Sequence, residues 1–226
     1  ERLSESACLF PWEPVEVPDE VSCRAASTMA LHGRRVTVGP HAVSLFTAAC
    51  DTEDLEPSEL GLHIWPGTHA MAYLLLQLSE TGQLKGRTLL DIGCGTGFLG
   101  ILARMAGCSN VVLSDSEESV RDLAALNAAA NGLDGVTVEA VSWAGGGASG
   151  SHAEVSDATA GRQFDILLLS EVLYVARPLT VPWCLDEKDV TALVSLVKAK
   201  LCAGGTAWVT YGNREEGGAE QLHAAA

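Results

Sequence analysis

The segment LLDIGCGTGFLG, residues 89–100, restricts the possible folds of this chain more than any other stretch. The apolar residues around Asp91 predict a buried strand, and the apolar residues after the glycines predict a helix. Gly93, Gly95 and Gly97 stand between them at alternate positions. Glycine permits a tight turn and lets backbone N–H groups approach a ligand closely. The segment therefore predicts a strand, a glycine loop and a helix, with a nucleotide-like pocket at the loop.

Segments with strand and helix patterns alternate along the chain on both sides of this loop. Helix patterns cover residues 67–82, 97–108, 116–132 and 186–205, and strand patterns cover residues 87–93, 110–115, 136–143, 164–171 and 206–213. Such alternation implies βαβ units and a sheet of parallel strands covered on both faces. We therefore predict an α/β, Rossmann-like, doubly wound and mostly parallel sheet.

The regions outside this alternation look less regular. Prolines interrupt residues 1–60, so we expect an irregular N-terminal extension with one possible short strand at residues 34–39, followed by the main domain at residues 61–226. The glycine- and serine-rich residues 144–162 predict a flexible loop. Fifteen residues follow Tyr211, and we expect this terminal segment to be cut short or disordered.

Composition excludes several functional classes. The formal net charge of −15 disfavours nucleic acid as a partner and suits a basic protein segment. The seven cysteines are widely spaced and form no CxxC pair, which predicts reduced thiols in the cytoplasm, with the nucleus as an alternative, and no metal site. No apolar run reaches the roughly 18 residues of a membrane span. We expect no membrane association and a monomer.

The glycine loop fits two cofactors, which differ in charge. Gly95, Gly97 and Gly100 match the GxGxxG pattern of dinucleotide sites, and Asp115, 20 residues after Gly95, is placed to bind ribose hydroxyls in either case. A dinucleotide brings an anionic pyrophosphate, whereas S-adenosylmethionine brings a sulfonium and an ammonium. A carboxylate beside the loop attracts the second ligand and repels the first. Asp91 therefore favours S-adenosylmethionine.

The motif at residues 91–97 resembles motif I of the class I, seven-β-strand methyltransferases. Three further features occur in the order typical of one group of these enzymes. They are Trp65 before the first core helix, Trp143 at the end of the third strand, and Glu171-Val-Leu-Tyr174 after the fourth strand. Together they resemble the protein-lysine methyltransferases of methyltransferase family 16 over roughly residues 60–214. The resemblance also implies a C-terminal antiparallel strand pair, which we expect to be truncated here.

The resemblance and the loop chemistry together give a set of candidate site residues. The cofactor-binding candidates are Trp65, Asp91, Gly93, Cys94, Gly95, Gly97, Asp115, Trp143 and Ser170. Glu171 and Tyr174 are the catalytic candidates that face the substrate. In this interpretation Glu171 holds the incoming lysine ammonium by a charge-assisted hydrogen bond, and the Tyr174 ring lines its alkyl chain.

The resulting hypothesis is an S-adenosylmethionine-dependent enzyme that methylates a lysine side chain of a protein. A histidine or a small molecule is the alternative acceptor. An NAD-dependent oxidoreductase is an alternative of another class, but it would need a hydride-transfer arrangement such as Tyr-x-x-x-Lys, which the sequence lacks. A catalytically silent scaffold is disfavoured by the three acidic residues Asp91, Asp115 and Glu171.

Overall fold

The computed structural model describes the backbone of residues 10–17, 30–49, 57–143, 157–173, 187–213 and 221–225. In these ranges the chain forms two sheets. The N-terminal sheet is antiparallel and contains β1 (Trp12–Val15), β2 (Leu31–Val38) and β3 (His41–Ala48) in that order. The main sheet contains β4 (Thr88–Ile92), β5 (Asn110–Asp115), β6 (Val136–Ala140), β7 (Phe164–Ser170), β8 (Leu201–Asn213) and β9 (Gln221–Ala225).

The main sheet confirms the predicted fold class. Its order is β6-β5-β4-β7-β8-β9; the first five strands are parallel, and β9 is antiparallel to β8. The central strands are apolar because helices cover both faces of a parallel sheet. Leu89, Leu90, Leu167 and Leu168 are each fully buried. Asp91 interrupts this apolar surface near the end of β4.

The helices that flank the sheet have recognisable start signals. They are α1 (Pro66–Glu80), α2 (Phe98–Met105), α3 (Glu118–Ala130) and α4 (Glu187–Lys200), and a 3₁₀ helix covers Pro57–Leu62. Pro66 opens α1, where its missing N–H has no helical partner to lose. Gly97, the last glycine of the loop, is the N-cap of α2. None of the described helices has the length and hydrophobicity that crossing a membrane would require.

The prediction of an irregular N-terminal extension with one short strand is wrong for the described residues. Residues 31–48 form a full hairpin. Pro14 is one of the prolines expected to interrupt regular structure, but it lies in β1 at the edge of the sheet, where proline is tolerated. Val36 and Val43 from this hairpin share one buried cluster with Leu75 of α1 and Phe98 of α2. The N-terminal sheet is therefore packed against the core of the main sheet.

The predicted flexible loop is corrected in part. Residues 144–156 lie outside the described residues, but residues 157–162 form a turn that is firmly attached. The buried Lys200 ammonium donates to the Thr159 carbonyl at 2.7 Å and pairs with the Asp157 carboxylate at 2.6 Å. A buried ammonium needs such partners, since an unpaired charge in the interior is costly. Residues 157–162 therefore form a turn with defined partners, whereas the sequence pattern suggested an irregular loop.

The C-terminal region also differs from the prediction. Helix α4 ends at Lys200, and β8 begins at Leu201, although the sequence predicted helix as far as residue 205. β8 is 13 residues long and extends past the end of β7, so its outer edge offers unpaired backbone groups. β9 occupies that edge, with Tyr211 opposite His223. The expectation of a disordered terminal segment is thus wrong for residues 221–225, which form β9.

Candidate functional site

The carboxyl ends of β5, β4 and β7 lie side by side and bring the acidic candidates to one edge of the sheet. In this order Asp115 ends β5, Asp91 lies near the end of β4, and Glu171 follows β7 directly. Ligands of open parallel sheets bind beyond the carboxyl ends of the strands. The topology therefore places all three carboxylates, which are far apart in sequence, at the expected position of a ligand.

Glycine is required in the loop after β4 because neighbouring segments approach closely. A Cβ atom on Gly93 would lie 2.7 Å from Cγ1 of Val172 and 3.6 Å from the Trp143 ring. A Cβ atom on Gly95 would lie 2.9 Å from the Gly61 carbonyl oxygen in the 3₁₀ helix. Both glycines also have positive φ values, +66° and +54°. The loop is thus enclosed by the 3₁₀ helix on one side and by the segment after β7 on the other.

Asp91 is almost completely buried and is held by backbone groups. Its Oδ2 accepts a hydrogen bond of 3.0 Å from the Gly100 N–H, and the Ser114 hydroxyl donates to its carbonyl oxygen at 2.8 Å. Burial raises the pKa of the Asp91 carboxyl to about 7; the Gly100 N–H works against this rise, and the charge of Asp115 adds to it. No ion pair to Asp91 is found among the described residues.

Asp115 is the second carboxylate of the loop, and it is half-buried. Its Oδ2 accepts from the Gly95 N–H at 3.3 Å and its Oδ1 from the Glu117 N–H at 3.1 Å. Burial raises the pKa of Asp115 to about 6, partly offset by these two N–H donors and by the more distant Arg121. The Arg121 guanidinium itself donates to the carbonyl oxygens of Asp115 and Ser116, at 3.0 and 2.6 Å.

These features fit a cationic ligand with an aromatic base. The charge of Asp115 adds to the cost of ionising the buried Asp91, and a positive charge placed near these carboxylates lowers that cost. The Trp143 indole lies beside Gly93, and its buried Nε1 has no hydrogen-bond partner among the described residues. Buried polar atoms normally have a partner, so the atom is available to a ligand. The residues present therefore suit S-adenosylmethionine.

The remaining cofactor candidates are placed as follows. Trp65 is the N-cap of α1, and its Nε1 donates to the Leu60 carbonyl at 2.8 Å, which fixes the 3₁₀ helix to α1. The Cys94 N–H donates to the Ser114 carbonyl at 2.9 Å, and burial raises the pKa of the Cys94 thiol, so the sulfur stays neutral. The Ser170 hydroxyl donates to the Thr210 hydroxyl oxygen at 3.0 Å, because the single Thr210 proton goes to the Gly67 carbonyl. The described part of the chain contains no cluster of metal-ligating side chains.

Glu171 has an unusual backbone conformation and a fixed side chain. Its φ is +59°, the only positive value of a non-glycine residue among the described residues. Such a conformation costs roughly 1–2 kcal/mol for an L-residue, and a cost of this kind is often found at functional sites. The side chain is 5% exposed, and Oε1 accepts from the Gly67 N–H at 2.7 Å. A helix N-terminus favours a negative charge in this position.

Gly67 and Thr210 complete this arrangement, and the sequence analysis identified neither as a site residue. A Cβ atom on Gly67 would lie 2.5 Å from the Glu171 Oε1, so only glycine leaves room for the carboxylate. The buried Thr210 hydroxyl donates to the Gly67 carbonyl at 3.2 Å, and the Thr210 carbonyl accepts from the Glu171 N–H at 2.8 Å. A glycine in the first turn of a predicted helix, where it is unfavourable, was the available signal.

Tyr174, the second catalytic candidate, lies outside the described residues. The structure thus assembles Asp91, Asp115, Trp143 and Glu171 around one glycine loop. Of the remaining candidates, Gly97 faces inward, since a Cβ atom there would lie 2.9 Å from the Leu113 side chain.

Comparison with models of known protein families gives a match that covers most of the chain. A family model described as lysine methyltransferase, methyltransferase family 16, matches residues 50–211. Among curated relatives, the ribosomal protein L11 methyltransferase of Sorangium cellulosum is 37% identical over 83 residues, which are 36% of this chain and 25% of the relative. The enzyme of the same name from Xanthomonas axonopodis is 35% identical over 108 residues, 45% of this chain and 35% of the relative. The chain thus spans about a quarter to a third of the length of these relatives.

Similar solved structures include two methyltransferases. A ribosomal protein L11 methylase from Lactobacillus delbrueckii has a TM-score of 0.44 and 20% identity, with 63% of this chain and 60% of that one covered. A magnesium protoporphyrin IX methyltransferase from Synechocystis with bound SAH has a TM-score of 0.45 and 19% identity, with 62% and 53% covered.

Proposed function

Because the chain belongs to the lysine methyltransferase family, methyltransferase family 16, we propose that it transfers a methyl group from S-adenosylmethionine to a lysine side chain of a protein. S-adenosylmethionine is the cofactor of this family. The observation that carries the proposal is the grouping of three carboxylates at one sheet edge, two beside the glycine loop and one at the end of the neighbouring strand. Asp91 and Glu171 are buried, and Asp115 is half-buried.

The loop side of the site would hold the cofactor. Asp115 would accept the ribose hydroxyls, Asp91 would contribute negative charge beside the loop, and Trp143 would offer an aromatic face and an indole N–H to the adenine. When bound, S-adenosylmethionine supplies an electrophilic methyl group on a positively charged sulfur. The buried carboxylates favour this positive charge, because the interior screens charges less than water does.

Glu171 would act on the acceptor. A lysine side chain with its ordinary pKa near 10.4 arrives as an ammonium, and a carboxylate binds it by a charge-assisted hydrogen bond. The bond from the Gly67 N–H holds the Glu171 carboxylate in one orientation, so the bound nitrogen is held in one place too. The ammonium must lose a proton, to Glu171 or to water, before its nitrogen can attack. Holding the nucleophile in line then supplies much of the rate enhancement.

A protein acceptor is supported by two independent observations. The matched relatives are named as methyltransferases of ribosomal protein L11, which is itself a protein. The net charge of −15 gives this chain a general attraction for basic segments, in which lysine is common.

The proposal can be tested by labelling. Purified protein is incubated with cell extract and S-adenosylmethionine carrying a tritiated methyl group, and labelled material is identified by mass spectrometry and by amino-acid analysis. We expect label in methyllysine of a protein, and none with the Glu171→Gln variant. Label in methylhistidine or in a small molecule would overturn the lysine assignment, and absence of any label together with absence of cofactor binding would overturn the activity.

A further inference from the structure

Two asparagines of α3 bind the edge of β3 in the way that a neighbouring strand would. The Asn127 side chain accepts from the Phe46 N–H at 2.7 Å and donates to the Phe46 carbonyl at 3.1 Å. Asn131, one helical turn later, accepts from the Ser44 N–H at 2.9 Å and donates to the Ser44 carbonyl at 2.8 Å. Each side-chain amide thus satisfies both backbone groups of one β3 residue, which closes this edge of the N-terminal sheet.

The two asparagines differ in their third hydrogen bond. The second N–H of Asn131 returns to its own helix and donates to the Asn127 carbonyl at 2.7 Å. The second N–H of Asn127 donates instead to the Thr96 carbonyl at 2.8 Å, inside the glycine loop. An asparagine amide has two N–H donors, so both donors of Asn127 are used. Asn127 is fully buried, so the Thr96 carbonyl has no bulk solvent beside it that could replace this donor in the native chain.

The Thr96 carbonyl belongs to a peptide group at the centre of the loop. This peptide joins Thr96 to Gly97; its oxygen is held by Asn127, and its N–H donates to the Cys94 carbonyl at 2.9 Å. The preceding loop residue, Gly95, donates its own N–H to Asp115. Without Asn127, the Thr96 carbonyl would be left buried without this donor, and the peptide could rotate. Rotation there would move the N–H groups that the loop presents.

We propose that Asn127 is a positioning residue for the cofactor site, through which the N-terminal sheet sets the affinity of the glycine loop for S-adenosylmethionine. The inference rests on the proposed function in one respect, that the glycine loop is the cofactor site. Asn131 attaches the same strand with the same chemistry but does not reach the loop. It is therefore a matched control for the loss of sheet attachment alone.

The test compares Asn127→Ala with Asn131→Ala by calorimetric titration of each purified chain with S-adenosylmethionine. We expect Asn127→Ala to raise the Kd by about tenfold, the loss of roughly one buried hydrogen bond, and Asn131→Ala to leave it within about twofold. In turnover assays KM for the cofactor should rise while kcat at saturating cofactor stays near the wild-type value. A folded Asn127→Ala chain with wild-type affinity, or equal weakening in both variants, would overturn the proposal.

Hydrogen exchange keeps this test independent of the proposed function. In the ligand-free chain, the hydrogen-exchange rate of the Gly97 amide should be higher in Asn127→Ala than in the wild type and should be unchanged in Asn131→Ala. This expectation holds whatever ligand the chain binds. Equal exchange rates in the two variants would refute the claim that Asn127 positions the loop. A wild-type chain that binds no S-adenosylmethionine would refute only the proposed function. If Asn127→Ala does not fold by circular dichroism, Asn127→Ser, too short to reach both partners, takes its place with the same expected outcomes.

Discussion

The carboxylates on the two sides of the site are stabilised in different ways. Beside the glycine loop, desolvation raises the pKa of the buried Asp91 to about 7 and that of the half-buried Asp115 to about 6, and the charge of Asp115 adds to the rise at Asp91. Glu171, on the other side, receives the Gly67 N–H at the positive end of α1. The loop pair thus gains most from an added positive ligand, whereas the fold itself orients Glu171. One side is arranged to attract a cation, and the other to hold a carboxylate still.

The largest effect is expected from removing the charge of Glu171 while keeping its shape. Glu171→Gln retains an oxygen that can accept from the Gly67 N–H, so the fold and the cofactor affinity should change little. The methyl-transfer rate should fall by at least about 100-fold, because the acceptor ammonium loses its ionic partner and a proton acceptor. Initial rates with labelled S-adenosylmethionine and a calorimetric Kd measure the two effects separately.

Gly67→Ala provides the complementary change, since it keeps the Glu171 charge and alters its position. The added methyl group would lie 2.5 Å from Oε1 and must displace the carboxylate. The rate should therefore fall although Glu171 is present. Full activity in Glu171→Gln would show that this carboxylate does not serve the acceptor, and the contrast between the two sides would disappear.

A smaller effect, on binding rather than on rate, is expected on the loop side. Asp115→Asn should weaken S-adenosylmethionine by about 10- to 100-fold, the range expected for hydrogen bonds to a charged group. The rate at saturating cofactor should remain close to that of the wild type. Asp134→Asn, which removes an equal charge from an exposed turn, is the control and should leave the Kd unchanged. An unchanged Kd in Asp115→Asn would remove Asp115 from the site.

The smallest effect is a dependence of both stability and affinity on pH. Burial raises the carboxyl pKa from 3.8 to about 6 for Asp115 and to about 7 for Asp91. Between pH 3.8 and these raised values, the two groups therefore bind more protons in the folded chain than in the unfolded chain. The stability that these groups contribute is present below pH 3.8 and is lost as the pH rises through 6 and 7. A cationic ligand favours the ionised form, so its affinity should rise several-fold over the same interval.

Melting temperatures of the ligand-free chain and Kd values for S-adenosylmethionine, both from pH 5 to pH 8, measure these trends. In Asp91→Asn, which keeps an acceptor for the Gly100 N–H, the part of both trends near pH 7 should flatten. Affinity that falls with rising pH would contradict a positively charged ligand beside the loop.

Local sequence patterns predicted the parts of the site that depend on local geometry. The glycine loop follows a strand and opens a helix, and this unit is contained in residues 89–100. Asp115 is a candidate because it lies 20 residues after Gly95 in the sequence, and in the structure a hydrogen bond of 3.3 Å joins the two residues. Residues at the carboxyl ends of strands were predicted well, because the parallel sheet fixes where those ends meet.

Contacts between distant segments form the features that could not be predicted from the sequence. Gly67 and Thr210 are 143 residues apart, and only the packing of α1 against β8 brings them to Glu171. The N-terminal hairpin was not predicted as such because its stability depends on a core shared with α1 and α2 and on side chains of α3. β9 was missed for a similar reason, since an edge strand forms where a neighbour offers free backbone groups.

The sequence by itself determined the parallel α/β fold, the glycine loop and the chemical character of the ligand that this loop attracts. These follow from periodicity, from the backbone freedom of glycine and from the types of charge present, which are properties of short segments. The tertiary structure alone decided how Glu171 is oriented by the N-terminus of α1 and how Asn127 joins β3 to the loop. Both depend on hydrogen bonds between residues that are 31 to 104 positions apart, and only the folded chain brings such groups within bonding distance.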